Sequence, residues 1–467
     1  MKVVKDDGLV TRNGTFIFPK GQELTKEELF GFIDYNTQYL MPKYRENMKL
    51  YLSQHMILNA ESKEMGPDNK LVVNLPKYIV DTYNGYFLGI PPKISLEKGS
   101  DNDRLQTWLS HVSFFDKLNE ISKQADIYGR SIGFIYQNEK AETGFTYVSP
   151  TKAFIIYDDT IERNPLAFVR YEYFENENEY QARGDIYYSN KICHFENNQL
   201  DTDFRINPYK LVPAVEFYEN EERQGVYDSV KTLVNALDKA ISQKGNQVEY
   251  FDNAYLAMVG IHLPEDPKTG KPVINIKQNR FLYLPNVDPQ SNPDVKFISK
   301  PDGDQMQENY IQRLADWIYQ IAMVPNPADN SFAQNASGVA LEYKYLPMKN
   351  KASSKERKFT KSLRALFRAV FSTGQVISIS GKDAWENLQF QFTRNIPKDI
   401  TSAITAAKQA EGLVSQRTAI SLLPFVDDPD EEIKQMEKEK QDSIKNVQQA
   451  VGSLPDYMKQ SDSDDQK

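Results

Sequence analysis

Cysteine and histidine are both scarce in this sequence of 467 residues, and their scarcity limits the chemistry it supports. The single cysteine, Cys193, excludes a disulfide framework within the chain and any metal site built from several thiolates. The four histidines, His55, His111, His194 and His262, are far apart and lack the spacing of metal ligands. Cys193 and His194 are adjacent near the end of a predicted strand, which indicates packing rather than a nucleophile with its base.

Sequence motifs for nucleotide chemistry are also missing. There is no glycine-rich phosphate loop ending in Lys-Ser or Lys-Thr, and no dinucleotide fingerprint. The run Lys-Thr-Gly-Lys at 268–271 has the right letters in the wrong order and indicates a lysine-bearing turn. The acidic run at 427–432 is typical of a helix N-terminus, where carboxylates meet the positive end of the helix dipole, with a divalent-ion site as the alternative. We expect no enzyme activity, no cofactor and no metal.

Long apolar segments are absent as well. No stretch reaches the length of a membrane span, so we expect no membrane partner. The first residues are charged and do not resemble a signal peptide, and with the single cysteine they favour a reducing cytoplasm. The formal net charge of −9 argues against a protein that binds nucleic acid over its whole surface. A content of 27 Tyr and 25 Phe argues against disorder and predicts extensive folded cores.

The hydrophobic period changes along the chain, and this pattern predicts an α+β protein. Helical spacing runs through 25–51, 75–88 and 103–128, and the first of these helices begins with a capping box at Thr25 and Glu28. The period then becomes two, which predicts antiparallel strands rich in β-branched and aromatic residues.

A long helix is predicted over 222–257, after the strands that occupy 131–218. A proline-rich insert of short strands follows at 258–301. The long helix has a narrow apolar seam, which predicts packing against neighbouring helices rather than a globular core. Because one chain does not supply such neighbours, we expect an obligate oligomer.

A helix, a polar loop and a second, very long helix follow the insert. The apolar residues of the first helix recur at steps of three and four and predict one buried stripe; they are Met306, Tyr310, Leu314, Trp317 and Ile321. This helix ends near Met323 because two prolines follow. The polar segment 324–337 leads into the second helix, which is predicted to reach Gly374 and is broken only by Pro347.

The two helices around this loop carry charges of opposite sign. The first helix contributes three carboxylates, those of Asp304, Glu308 and Asp316. The second begins a long run of basic side chains that includes Lys344, Lys349 and Lys351. The basic run is interpreted either as a solvated helix face or as a surface near a phosphate backbone or an acidic partner. The carboxylates suit a conduit that repels a highly charged strand.

The order of these parts resembles the portal protein of tailed double-stranded-DNA bacteriophages, in the type found in long-tailed phages of Gram-positive bacteria. Four local sequences carry the resemblance: VDTYNGYFLG at 80–89, DIYGRS at 126–131, PYKLVP at 208–213 and NASGVAL at 335–341. The resemblance extends over essentially the whole chain, and the order and spacing of these segments are more specific than any one of them.

The resemblance implies a ring, usually a dodecamer, at one vertex of the capsid, with double-stranded DNA passing through its centre. It divides the chain into a wing at 1–221, a stem helix at 222–257, a clip at 258–301, a second stem helix at 302–323, a tunnel loop at 324–337, a long kinked helix with a return to the wing at 338–400, and a helical crown with a disordered acidic tail at 401–467. Because of Pro347, the constriction has an alternative position at 346–354.

Candidate residues follow from the same resemblance. The tunnel-loop residues expected at the channel are Asp329, Asn330, Ser331, Phe332, Gln334 and Asn335. The carboxylates of the first helix would line the channel, and the lysines of the second would face DNA. The clip residues expected to contact partners are Lys268, Lys271, Lys277 and Arg280.

The implied function is a structural portal that admits DNA during packaging and releases it at ejection. Its implied partners are the terminase large subunit, then the head-completion adaptor, together with scaffolding and major capsid proteins. The implied location is the portal vertex of the virion, after assembly in the host cytoplasm. The alternative is a non-portal helical structural or adaptor protein, which predicts sustained heptads without a polar loop. A DNA-processing enzyme is less favoured because clustered acidic or histidine ligands are not found.

Overall fold

The computed structural model describes residues 9–63, 66–97, 99–176, 179–251, 255–261, 267, 281–284, 294–298, 304–328, 338–378, 381–395, 400–410, 412–423, 426 and 429–452. Over these residues the chain combines helices with largely antiparallel sheets, so the predicted α+β class is confirmed. The chain divides into two compact units, Met1–Asn395 and Ile396–Lys467.

Helices make up much of both units. The α-helices are α1 (Lys26–Tyr35), α2 (Met41–Tyr51), α3 (Leu75–Leu88), α4 (Ser100–His111), α5 (Phe114–Tyr128), α6 (Lys231–Phe251), α7 (Asp304–Ala322), α8 (Gly338–Phe371), α9 (Ile400–Ala410), α10 (Gln416–Ser421) and α11 (Pro429–Gly452). A π-helical turn, Asn36–Leu40, joins α1 to α2, and short 3-10 helices occupy Met56–Asn59, Asp228–Val230 and Ala384–Asn387. The capping box is confirmed, because Thr25 and Glu28 each accept from the other's backbone N–H.

The strands belong to the first unit. They are β1 (Phe16–Phe18), β2 (Lys93–Ser95), β3 (Arg130–Gln137), β4 (Thr143–Val148), β5 (Ala153–Asp158), β6 (Pro165–Asn176), β7 (Glu179–Tyr188), β8 (Lys191–Glu196), β9 (Gln199–Ile206), β10 (Ala214–Tyr218), β11 (Tyr255–Val259), β12 (Phe281–Leu284), β13 (Asp294–Ile298) and β14 (Gln389–Gln391). The sheet orders are β1-β5-β6-β7-β8-β9, β10-β3-β4, β12-β11-β13 and β14-β2. The pairs β1–β5 and β11–β12 are parallel, and the other pairs are antiparallel.

One hydrophobic core lies between α1 and the sheet that begins with β1. Phe16 of β1 packs edge-on against Phe32 of α1, with ring centroids 5.2 Å apart, and both rings are buried. Cys193 of β8 lies in the same core, and burial raises the pKa of its thiol. His194 points to the other side of the strand and contacts Asp185 at 3.1 Å. The prediction that Cys193 packs in the fold is therefore confirmed.

The prediction of one continuous helix over 103–128 is wrong, because the chain forms two helices, α4 and α5, with a break between them. Ser113 has a left-handed backbone, with φ of 52°, and this turns the chain. Phe114 then enters the core, where its ring stacks on Phe145 at 4.9 Å and contacts Phe367 at 5.5 Å. Burial of this ring explains the left-handed backbone of Ser113. No glycine or proline marks this break in the sequence.

The helix predicted over 222–257 is shorter than expected, since α6 covers only Lys231–Phe251. Before it, Arg223 has a φ of 53°, and Val226 N–H donates to the carbonyl of Asp126 at the end of α5. A side chain at Gly225 would meet the carbonyl oxygen of Ile127 at 2.5 Å, so the chain packs closely against α5 there. After α6 the chain enters β11, whose backbone pairs with β12 and β13.

The long helix α8 passes through the core of the first unit. Phe359, Leu363 and Phe367 are fully buried along one side of it. Phe359 packs against Phe87 of α3 and Phe217 of β10, with centroid distances of 5.3 and 5.2 Å. The helix extends to Phe371 and the chain turns at Gly374, so the predicted helical span is confirmed, with Pro347 inside it.

The second unit contains α9, α10 and α11. The first turn of α11 includes Asp430, Glu431 and Glu432, so these carboxylates begin a helix as predicted. Arg417 of α10 contacts Asp430 with two nitrogens, at 2.7 and 3.0 Å. The predicted acidic tail lies outside the described residues.

A buried carboxylate holds four segments of the first unit together. Glu216 of β10 contacts Arg130 of β3 at 3.2 Å and Arg223 at 3.1 Å. Arg130 also donates to the carbonyl of Gly14, in the turn before β1. Burial by itself would raise the pKa of Glu216, but the two guanidiniums outweigh it and hold the pKa below its usual 4.5.

We expect Glu216 to make the stability of this unit sensitive to acid. Because its pKa is lower in the folded state than in the unfolded state, its contribution is present above pH 4.5 and is lost as the pH falls through the folded-state value. In Glu216→Gln, the urea midpoint should therefore fall less between about pH 5 and about pH 3 than in the unsubstituted protein. At neutral pH the variant should be less stable by roughly 3–5 kcal/mol, because two buried guanidiniums lose their anion.

Glu139→Gln is the matched control, because this carboxylate lies exposed in a turn. Its midpoint should follow that of the unsubstituted protein at each pH. An equal dependence of the urea midpoint on pH for Glu216→Gln and the unsubstituted protein would contradict the prediction.

Candidate functional site: the helix pair and the base of the loop

Helices α6 and α7 pack side by side and are tied by an ion pair. Leu237 of α6 and Leu314 and Ile318 of α7 are buried. The ammonium of Lys244 donates to the carboxylate of Glu308 across the pair. The proline-rich insert separates these helices in sequence, so the pair forms by tertiary contact.

The surface of α7 divides into three faces. Residues of an α-helix project about 100° apart, so positions three or four apart share a face. Leu314, Ile318 and Ala322 form the buried face. A polar face roughly 100° from the apolar stripe is made of Gln305, Asn309, Gln312, Asp316 and Gln320.

The third face is apolar and exposed, which corrects the prediction of one buried stripe. Met306, Tyr310, Trp317 and Ile321 are exposed to 74%, 51%, 43% and 47%. We call these four residues the α7 stripe. Leu314 alone among the predicted stripe residues is buried, because packing on α6 covers a neighbouring strip of the helix. The sequence period identified an apolar helix correctly but assigned the covered side wrongly.

The predicted acidic residues of α7 differ in their surroundings. Asp304 is the first residue of the helix. Glu308 forms an ion pair with Lys244, and this pairing partly neutralises its negative charge. Asp316 accepts from two neutral amides, those of Gln312 at 2.9 Å and Asn326 at 3.4 Å. Its negative charge therefore remains on the polar face.

Helix α7 ends in a Schellman motif at Met323. Met323 has a φ of 60°, and its N–H donates to the carbonyl of Gln320. Val324 N–H donates to the carbonyl of Tyr319, and both side chains are buried. Methionine in this left-handed position is strained, since glycine is the usual residue there. The helix end is thus set where the sequence predicted it.

Lys351 of α8 completes the cap of α7. Its Nζ donates to the carbonyl of Ala322 at 3.0 Å and to that of Val226 at 3.4 Å. A cation at a helix C-terminus meets the negative end of the dipole. Burial lowers the pKa of the Lys351 ammonium, while Glu219 and Asp126 nearby act in the opposite direction. Lys351 therefore links the two helices that flank the loop at its base.

One turn further along α8, Lys355 is fully buried with two carboxylates. Its Nζ lies 2.5 Å from Asp126 of α5 and 3.2 Å from Glu219, which follows β10. Burial raises the pKa of Asp126, Glu219 adds to this rise, and Lys355 opposes it. The ring of Tyr83 lies 5.0 Å from the ammonium.

The lysines predicted to face DNA are thus not equivalent. Lys349 is exposed on α8, and Lys344 is half-buried. Lys351 points into the fold and caps α7. The sequence contains a signal for the burial of Lys355, a further member of the basic run, because Met348, Ala352, Lys355 and Phe359 recur at helical spacing on the apolar side. Its partners Asp126 and Glu219 were not identified from the sequence.

The remaining predicted positions lie outside the described residues. They are the tunnel-loop residues Asp329, Asn330, Ser331, Phe332, Gln334 and Asn335, and the clip residues Lys268, Lys271, Lys277 and Arg280. In the part of the chain that the structure describes, no group of three His, Cys, Asp or Glu side chains could hold a metal ion. Over the same residues, every helix is too short or too polar to cross a membrane.

We expect Lys351→Met to loosen the end of α7. The substitution keeps the apolar stem but removes the charged hydrogen bond to the carbonyl of Ala322, which is worth about 1.5–3 kcal/mol. Amide hydrogen exchange in the full chain should be faster at 319–324 by roughly 10- to 100-fold. Lys349→Met, on the exposed side of the same helix, should leave exchange unchanged. Equal protection in both variants would contradict the role of Lys351.

Comparison with known proteins agrees with the resemblance seen in the sequence. The family described as phage portal protein, SPP1 Gp6-like, matches residues 31–446. The chain is 23% identical over 389 residues to the portal protein of Bacillus phage SPP1, and the matched region covers 78% of this chain and 74% of that protein. It is 21% identical over 392 residues to the portal protein of Clostridium phage phiCD119, and here the matched region covers 78% of this chain and 83% of that protein. Because the family match extends over most of its length, the chain belongs to the phage portal protein family.

Proposed function

We propose that the chain forms a ring at one vertex of a phage capsid, through which double-stranded DNA enters during packaging and leaves at ejection. The observation that carries this proposal is the division of the exposed surface of α7 into an apolar stripe and a separate polar face. An exposed apolar stripe suits contact with a neighbouring chain. A polar face suits a water-filled channel. Because the two faces point in different directions, a neighbour that covers the stripe leaves the polar face open.

A structural role follows from the family. Portal proteins are structural components of phages, so membership supports the prediction that the chain is not an enzyme. Each subunit contributes the α6–α7 pair, tied by Lys244 and Glu308, to the wall of the ring. Oligomerisation supplies the neighbours that the narrow apolar seams of these helices require.

Electrostatic repulsion is the proposed means by which the channel avoids binding DNA. Asp316 keeps its charge on the polar face of α7, and Asp304 lies at the start of the same helix. Glu308 contributes less because Lys244 neutralises it. Lys344 and Lys349 remain candidates for DNA contact, whereas the ammonium of Lys351 serves as the cap of α7.

The parts of the ring and its partners are proposed from the family resemblance. The wing is 1–221, the clip 258–301, the tunnel loop 324–337 and the crown 401–467. The cationic residues of the clip are proposed to meet the terminase large subunit and later the head-completion adaptor. Scaffolding and major capsid proteins are further proposed partners, with assembly in the host cytoplasm and a final place in the virion.

We expect Ile321→Glu to prevent ring assembly. Each interface loses roughly 2 kcal/mol of apolar burial, about 30-fold in association constant, before the cost of desolvating a carboxylate is counted. Native mass measurement of the purified chain should detect a large oligomer for the unsubstituted protein and small species for the variant.

Gln320→Glu is the matched control, because it adds the same charge one residue away on the polar face. This variant should assemble normally. A monomer for the unsubstituted protein, or an intact oligomer for Ile321→Glu, would contradict the proposal.

We expect Asp316→Lys combined with Asp304→Lys to slow DNA passage, because a lysine on the polar face of α7 and another at the start of the helix attract the phosphate backbone. The amount of DNA packaged per particle should fall, and the deficit should shrink as salt concentration rises. Asparagine at the same positions removes the charge without reversing it and should have a smaller effect. Unchanged packaging by the lysine variant would show that these carboxylates do not act on DNA.

A further inference from the structure

A second exposed apolar surface lies on the other side of α6, along residues 52–63 and 66–73, which we call the flanking segment. Its backbone N–H groups donate to side chains of α6; these contacts are Asn69 to Asn246 (2.6 Å), Leu71 to Ser242 (2.9 Å) and Val73 to Asp238 (2.9 Å). The ring of His55 is also held, between Asp238 at 2.5 Å and the carbonyl of Leu50 at 3.0 Å. The flanking segment is therefore attached to α6 at several points.

Four large apolar side chains of the flanking segment remain exposed. They are Leu52, Met56, Leu58 and Leu71, at 53%, 66%, 45% and 41%. Single exposed apolar side chains are ordinary, but several within one anchored segment form a patch that suits a protein contact. Two of the four also contact α6, because the Met56 Sδ accepts from Asn235 at 3.6 Å and the Leu71 side chain lies against Gly245. All four nevertheless keep a large exposed surface beside α6.

The α7 stripe and this patch belong to two elements that pack on opposite sides of α6. Lys244 of α6 points to α7, where it meets Glu308. Asp238, Ser242 and Asn246, which hold the flanking segment, project roughly 120–160° around α6 from Lys244. Helix α6 therefore lies between α7 and the flanking segment, and each outer member of this layer exposes apolar side chains.

We infer that the α7 stripe of one subunit docks on the apolar patch of the flanking segment of the next subunit. This inference rests on the proposed ring and names the two halves of its interface. An interface between two different patches is heterologous, and repetition of one rotation closes it into a ring. Contact of stripe with stripe would instead be isologous, would end at a dimer and would leave the flanking patch exposed.

Cysteine cross-linking in the full chain tests this arrangement. One cysteine replaces Tyr310, Trp317 or Ile321, and a second replaces Leu52, Met56, Leu58 or Leu71, in each pairwise combination so that the unknown register is sampled. All these positions are exposed, which limits the effect on folding. The native Cys193 is buried, so the unsubstituted protein serves as the oxidation background. Gln320→Cys replaces the stripe cysteine in the control, because it lies on the polar face.

The expected result is a ladder of covalent dimers, trimers and higher species in at least one double variant after mild oxidation. Each single variant should remain monomeric on a denaturing gel, and the Gln320→Cys control should give no ladder. Dimers from a single stripe cysteine would indicate an isologous contact and overturn the inference.

Native mass measurement separates the failure of this interface from failure of the proposed function. If the oligomer forms but no double variant gives a ladder, the docking inference is wrong and the portal ring stands. If no oligomer forms, the proposed ring fails, and the inference fails with it.

Discussion

The buried contact of Lys355 with Asp126 and Glu219 is the constraint on which the rest of the first unit depends. A fully buried ammonium is stable only if carboxylates meet it, and these two come from α5 and from the chain after β10. Removing one partner from such a cluster typically costs about 3–5 kcal/mol, whereas replacing all of it by apolar groups is often neutral. The cluster therefore selects one arrangement of α8 against α5 and β10 more than it adds net stability.

Lys351 extends this constraint to the base of the loop. It lies one turn before Lys355 on α8, and it caps α7 through the carbonyl of Ala322. The orientation of α8 in the core thereby fixes the position of the C-terminal end of α7. Contacts inside the molecule therefore help to set the rotation of α7 about its own axis. That rotation determines the directions in which the exposed stripe and the polar face point.

The exposed apolar side chains of α7 and of the flanking segment have the same physical explanation. A helix pair covers only the sides that face each other, so apolar side chains elsewhere on the layer stay exposed until another layer meets them. By contrast, the core between α1 and its sheet is enclosed within the chain, where rings such as Phe16 and Phe32 are buried.

Several local features could be predicted because their signals lie within a few residues. The capping box at Thr25, the end of α7 before Val324 and the helical start at Asp430 each depend on neighbours three or four positions away. The break at Ser113 could not be predicted, because a distant aromatic pocket holds Phe114 and imposes a left-handed serine.

The sequence by itself determined the α+β class, the family resemblance and the helix–loop–helix around the polar loop. Tertiary structure alone decided which side of α7 is covered and which carboxylates meet Lys355. The physical reason is distance along the chain. Hydrophobic period and caps are local, whereas Lys355 meets Asp126 across 229 positions, and no local pattern encodes that contact.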